Sequence, residues 1–312
     1  MSAYIVKRVL WLVPVIFLVS FLTFSLSYFS PSDPITARYT SMGITPDPEI
    51  LEHEKQEAGL NDPFLTQYIR WITNALHGDF GESYSYGDDA AREILKRLPN
   101  TLKLAAATLV CTILLAVPLG ILSTVCQDRP ADYFLRFISF LGVSMPSFWV
   151  AMLLMYAFGV RMKLLPVMGS GTAKHLILPC MTLTFWLTAI YVRRLRGSML
   201  EEMNRNYVRG MLARGLSKSR ILWRHVLPNS LLSVITMLGV SIGMLLGGTT
   251  VVETVFEWQG IGKMVVTAIG VRDYPIIMGY VVWVSAIYVV VNLLTDLACH
   301  FLDPRIRLGE KA

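Results

Sequence analysis

Six stretches of the chain hold no Asp, Glu, Lys or Arg for long enough to cross a bilayer, and densely charged segments separate them. They lie between Arg8 and Asp33, Lys103 and Asp128, Arg136 and Arg161, Lys174 and Arg193, Arg224 and Glu253, and Asp273 and Asp296. A membrane-crossing helix needs about 20 largely apolar residues, because charge is costly in hydrocarbon and every backbone group there must be paired within the segment. The pattern therefore predicts six helical spans. The fourth, "HLILPCMTLTFWLTAIYV", is short and holds both His175 and Pro179, so a buried, tilted or partly unwound span is expected there. The first resembles a cleaved leader, since Lys7 and Arg8 precede it and Ser25-Leu26-Ser27 loosely matches a processing site. Its apolar run continues past that site through Tyr28 and Phe29, which reads as a retained anchor.

Between the first two spans the periodicity changes to that of short amphipathic helices. "PDPEILEHEKQEAGL" opens with Asp47 as N-cap and Pro48 in the first turn, and Gly59 can end it. "PFLTQYIRWITNAL" predicts a second helix, stopped near Gly78, with Leu65, Tyr68, Ile72 and Leu76 on one face. That face suits an amphipathic cap on the bilayer surface as well as it suits a docking surface. The chain divides on this reading into residues 1–30 (N-terminal end and first span), an extracytoplasmic segment 31–100, a membrane core 101–302 and a tail 303–312.

Composition agrees with lipid as the solvent: 312 residues, 54% apolar, 16% charged, mean hydropathy +0.52. The net charge of +6 matters through its placement. Segment 193–228 carries nine cations (three of them Arg193, Arg194 and Arg196) against Glu201 and Glu202, whereas residues 31–91 carry eleven acids against Arg38, Lys55 and Arg70. Positive charge gathers on the cytoplasmic side of short loops, so the N-terminus, segment 193–228 and the C-terminus are expected inside and the acidic segment outside. Cys111, Cys126, Cys180 and Cys299 lack zinc-site spacing and disulfide density and read as small apolar residues.

The basic block is first a topological determinant. Leu200, Met203, Tyr207 and Met211 share one side of a helix that Gly215 breaks, and Ser217 can cap a second one leading into Pro228 and the next span. Two short helices rooted in adjacent spans could transmit a cytoplasmic partner's motion to both. A basic helix lying on anionic lipid competes with that reading. Gly262-Lys263 is the only Gly-Lys dipeptide, with Met264 after it and Glu257 where a phosphate loop needs its first glycine, so an ATP site is not expected in this chain. A self-powered secondary carrier would be expected to place ionisable groups in mid-membrane, which the six windows do not. An intramembrane enzyme would need a metal or nucleophile constellation, and His53, His77, His175, His225 and His300 are scattered. Pro146 is expected to kink the third span, beside a packing alternative, and Gly243, Gly247 and Gly248 read as a helix-packing surface.

"YVRGMLARGLSKSRILWRHVLP" is similar to the cytoplasmic signature of bacterial ABC-importer permeases: a Glu-Ala-Ala triplet, a glycine six residues after its Glu, and an Ile-x-Leu-Pro ending. Gly215 matches the glycine, and Leu227 with Pro228 the ending; Arg209, Gly210 and Met211 replace the triplet, and His225 the isoleucine. These departures resemble the oligopeptide, dipeptide and nickel permease variant. So do "GLNDPFLTQYIRWITNALHGDFGESY", "LPNTLKLA", "GVSMPSFWVAMLLM", "LPVMGSG" and "ETVFEWQGIGKM", the last with Gln259 where that family has proline. The resemblance implies an all-α polytopic membrane protein with six transmembrane helices and the type I ABC-importer permease fold, in the bacterial plasma membrane. It implies import of short peptides, nickel or metal chelates, with a second permease, two ATPase subunits and a substrate-binding protein as partners. No cofactor or metal is expected in the chain itself, ATP and Mg being bound by the partner ATPases. The coupling segment 197–228 carries the expected ATPase contacts: Tyr207, Val208, Leu212, Gly215 and Leu216 inserted into the ATPase cleft, Arg209 and Arg214 pairing by charge, and His225, Leu227 and Pro228 completing the signature. Pro146, Trp149, Glu253 and Trp258 are expected near the translocation path.

Overall fold

The computed structural model describes residues 2–30 and 33–302, so the tail 303–312 lies outside the described residues. In chain order the helices are α1 (Ser2–Tyr28), α2 (Pro34–Ser41), α3 (Pro48–Glu57), α4 (Phe64–Leu76), α5 (Ala90–Val125), α6 (Pro130–Ser144) and α7 (Ser147–Leu154). A π-helical stretch, Met155–Arg161, prolongs α7. Then follow α8 (Ala173–Met203), α9 (Asn206–Ala213), α10 (Lys218–Ile221), a second π-helical stretch (Leu222–Val226), α11 (Leu227–Val255), α12 (Ile261–Val271) and α13 (Tyr274–Leu302). Among the described residues β-structure is limited to one bridge, between Glu82 and Asp89. Each apolar window falls largely on helix among the described residues. Four helices are long and apolar enough to cross a membrane, five when the bent pair α6–α7 counts as one span; α1 covers the first window.

The described residues form two compact units, one within residues 2–102 and 259–290 and one of 103–258 and 291–302. In the first, α4 packs on α1 through rings: Tyr68 meets Phe17, Phe21 and Phe24 edge-on, and its hydroxyl lies 2.9 Å from Ser20 Oγ. The buried stripe is thus Phe64, Tyr68, Trp71 and Ile72, while Leu65 and Leu76 stand exposed. The expected face is rotated, because aromatic burial outweighs that of two leucines. Asp47 caps α3, as read from sequence, accepting from Glu49 N. Two helices, α2 (Pro34–Ser41) and α12 (Ile261–Val271), were not read from the sequence. The Gln259 loop, lacking proline, is held by Asn100, whose Nδ2 donates to Gln259 O at 2.8 Å, while Ile261 N donates to Thr101 Oγ1 at 2.9 Å.

The second unit is built round α8, which packs against α6, α7 and α11. Small residues allow the approach: a Cβ on Gly142 would stand 2.7 Å from Ala189 Cβ, and one on Gly120 would stand 2.9 Å from Leu195 Cδ2. Pro179 leaves α8 continuous and buried, so the fourth span is buried but not unwound. Where α11 meets α13, Gly239 is pressed close against Thr295, whereas a Cβ at Gly247, one of the three glycines expected at a packing surface, would meet nothing within 4 Å. The third window is more than kinked: α6 and α7 meet at 106°. Met145 and Pro146 both take extended backbone there, and proline supplies no N–H to continue α6.

Candidate functional site

α9 begins two residues after α8 ends, and its length is set by Gly215, whose φ of +80° is open to glycine and strained for other residues. Gly215 N donates to Leu212 O at 2.9 Å, closing the helix. Ser217 then caps α10, accepting from Arg220 N. The knuckle has the form read from sequence, with one correction to its outward face. Val208 is only 4% exposed and packs in the core with Ile221 and Val226, and Leu216 is half-buried against the same cluster. The Tyr207 hydroxyl donates inward to Glu202 Oε1 at 2.9 Å. Tyr207 and Val208 therefore anchor α9 rather than stand free for insertion. The exposed face is Arg209, Gly210, Leu212, Ala213, Arg214 and Gly215. His225 is half-buried, Leu227 buried and Pro228 exposed where α11 begins.

Two carboxylates that sequence reasoning passed over organise the base of this segment. Asp132, fully buried in α6, accepts from Arg196 Nε at 2.8 Å and Nη2 at 2.7 Å, from Ser123 Oγ at 2.5 Å, and from Asp128 N at 3.1 Å. Glu202, 6% exposed in the last turn of α8, accepts from Tyr207, from Asn229 Nδ2 at 3.0 Å and from Arg205 Nε at 2.8 Å. Burial, with the Glu202 carboxylate beside it, raises the Tyr207 pKa, so the phenol stays a donor. The available signal was an acid close to a span end among cations. By contrast Arg209, Arg214, Lys218, Arg220 and Arg224 are exposed and form no ion pair among the described residues.

Of the four expected pathway residues, Pro146 lines a cavity of about 390 Å³ at the α6–α7 break, walled by Ser144, Ser147, Trp186 and Met244. An interrupted helix at membrane depth is stable where it borders a cavity that can satisfy its backbone. Trp149 is exposed beside it on α7. Glu253 and Trp258 are buried at the far end of α11, where Trp258 N donates to Glu253 O at 2.8 Å, and neither borders that cavity. No group of three or more His, Cys, Asp or Glu able to hold a metal occurs among the described residues. His175 instead caps α8, its Nδ1 lying 2.8 Å from Thr172 Oγ1.

A membrane core built on one buried span, with a basic knuckle tied to two spans and a cavity at a third, defines an integral-membrane transport subunit. The chain matches the family model described as "Binding-protein-dependent transport system inner membrane component" over residues 116–308, and the corresponding N-terminal model over residues 1–105. It belongs to that family and is a permease of the ABC-importer type. It is 35% identical to the oligopeptide transport system permease protein AppB of Bacillus subtilis (strain 168), over 98% of this chain and 99% of that protein. It is 34% identical to the metal-staphylopine import system permease protein CntB of Staphylococcus aureus (strain Mu50 / ATCC 700699), over the full length of both. The fold resembles a solved inward-facing structure of the MetNI methionine ABC transporter, with TM-score 0.54 at 13% identity, covering 67% of this chain and 96% of that one. A self-contained secondary carrier is not favoured, and a multi-pass inner-membrane protein working within a multi-component transport system is the supported reading.

Proposed function

We propose that this permease imports short peptides or metal chelates, nickel included, and that its face of α9 docks in a cleft of a partner ATPase. Full-length similarity to both an oligopeptide and a metal-staphylopine permease supports the substrate class. The observation that carries the coupling role is the exposed, acid-free face Arg209, Leu212, Arg214, held on a helix tied to both α8 and α11. Such a helix fits a groove by its apolar residue and an acidic rim by its cations. ATP and Mg bind in the ATPase subunits, whose closure moves the knuckle. A pore formed with a second permease then opens toward a binding protein on the opposite face and resets after hydrolysis. The knuckle and both termini are cytoplasmic. Affinity purification from native membrane, followed by mass spectrometry, tests this: a second permease and Walker-motif ATPases should co-elute. A chain that elutes alone and transports without ATP would overturn it.

A further inference from the structure

The backbone that joins α9 to α11 is not a continuous α-helix. It passes through Gly215 in left-handed conformation and through the π-helical stretch Leu222–Val226 before α11 begins. The α-helical hydrogen-bond ladder is therefore interrupted twice between α9 and α11. Glu202 offers a second, side-chain connection between the two helices. Its Oε1 accepts from Tyr207 on α9 and from Asn229 in the first turn of α11, its Oε2 accepts from Arg205 at the N-cap of α9, and Asn229 Nδ2 also lies 3.4 Å from the Tyr207 hydroxyl. Three elements meet at one buried carboxylate. Charge-assisted bonds to a buried acid are strong, and removing any partner leaves the charge undercompensated, so the cluster resists coming apart. Six residues earlier on α8, Arg196 clasps Asp132 of α6, whose other oxygen contacts reach Ser123 of α5.

We infer that Glu202, with Tyr207 and Asn229, is a positioning centre that makes α9 and the roots of α8 and α11 move as one body. It acts through α9 and touches neither substrate nor nucleotide. The inference rests on the coupling reading above and adds to it which bonds carry the motion.

The test uses the full chain co-purified with its partners and reconstituted in liposomes. Spin labels are placed on Ala213→Cys in α9 and Val240→Cys in α11, both exposed positions, with native cysteines replaced. In the otherwise unchanged protein the label distance should be the same without nucleotide and after trapping with ATP and vanadate. In Tyr207→Phe combined with Asn229→Ala the distance should change on trapping. ATP hydrolysis should continue while import of a ¹⁴C-labelled dipeptide or a ⁶³Ni–histidine chelate per ATP falls roughly tenfold. Tyr207→Phe alone, which removes one oxygen and keeps the ring packed, serves if the double variant fails to assemble, and should shift both readouts in the same direction. A variant whose distance and import ratio match the parent overturns the inference. Absence of ATPase from the preparation would sink the coupling reading itself, and would be seen before any label is attached.

Discussion

At the scale of single residues, the stability of the second unit turns on a carboxylate without water. Asp132 is fully buried and its charge is answered by one guanidinium, so Arg196→Ala should destabilise the unit by about 3 kcal/mol or more, the cost of an orphaned buried ion. Thermal unfolding in detergent checks this, and Asp132→Asn combined with Arg196→Gln should recover most of the loss. Asp33 gives the pH counterpart. Burial works against its ionisation, but Lys55 at 2.8 Å and two bonds from Thr36 outweigh that and hold its pKa below the ordinary 3.8. A lowered folded pKa means stability that is complete above the unfolded value and lost only as pH falls through the folded one. The difference in stability between the parent and Asp33→Ala, about 1 kcal/mol for a lost N-cap, should therefore stay constant from about pH 8 down to about pH 5. A difference that shrinks between those limits would contradict the assignment.

Among the elements, α9 is defined by where it stops. Proline fixes φ near −65°, far from the +80° of Gly215, and would also delete the Gly215 N bond to Leu212. Gly215→Pro should leave the protein in the membrane, since no span is touched, yet abolish substrate-stimulated ATP hydrolysis in the reconstituted complex. Normal stimulation would show that the angle between α9 and α10 is unimportant. Much at this scale was legible in sequence: spans follow from the exclusion of charge, and the α9 boundary from Gly215 and Ser217. What was illegible shares one physical cause, dependence on tertiary partners. Tyr207 has the same helical phase whether it faces an ATPase or Glu202, and only the convergence of Arg205 and Asn229 decides. Pro146 signals an interruption but leaves its angle to the packing of α6 and α7 on α8. The stripe on α4 was misassigned because the rings of α1, distant in sequence, select Phe64 and Trp71 over Leu65 and Leu76.

For the whole molecule, charge placement and membrane topology are linked. Residues 31–91 hold eleven acids against three cations, and Arg209, Arg214, Lys218, Arg220 and Arg224 of the knuckle form no ion pair among the described residues. Lys and Arg are retained on the cytoplasmic side during insertion, so the proposed topology predicts the knuckle inside and residues 31–91 outside. In a background lacking Cys111, Cys126, Cys180 and Cys299, a single Asn61→Cys should react with a membrane-impermeant maleimide in intact cells whose outer barrier is open to small reagents. Ser219→Cys, exposed on α10, should react only after the plasma membrane is breached. The reverse pattern would put the knuckle on the side without ATP, and no arrangement of Glu202 and its partners could then connect this permease to an ATPase.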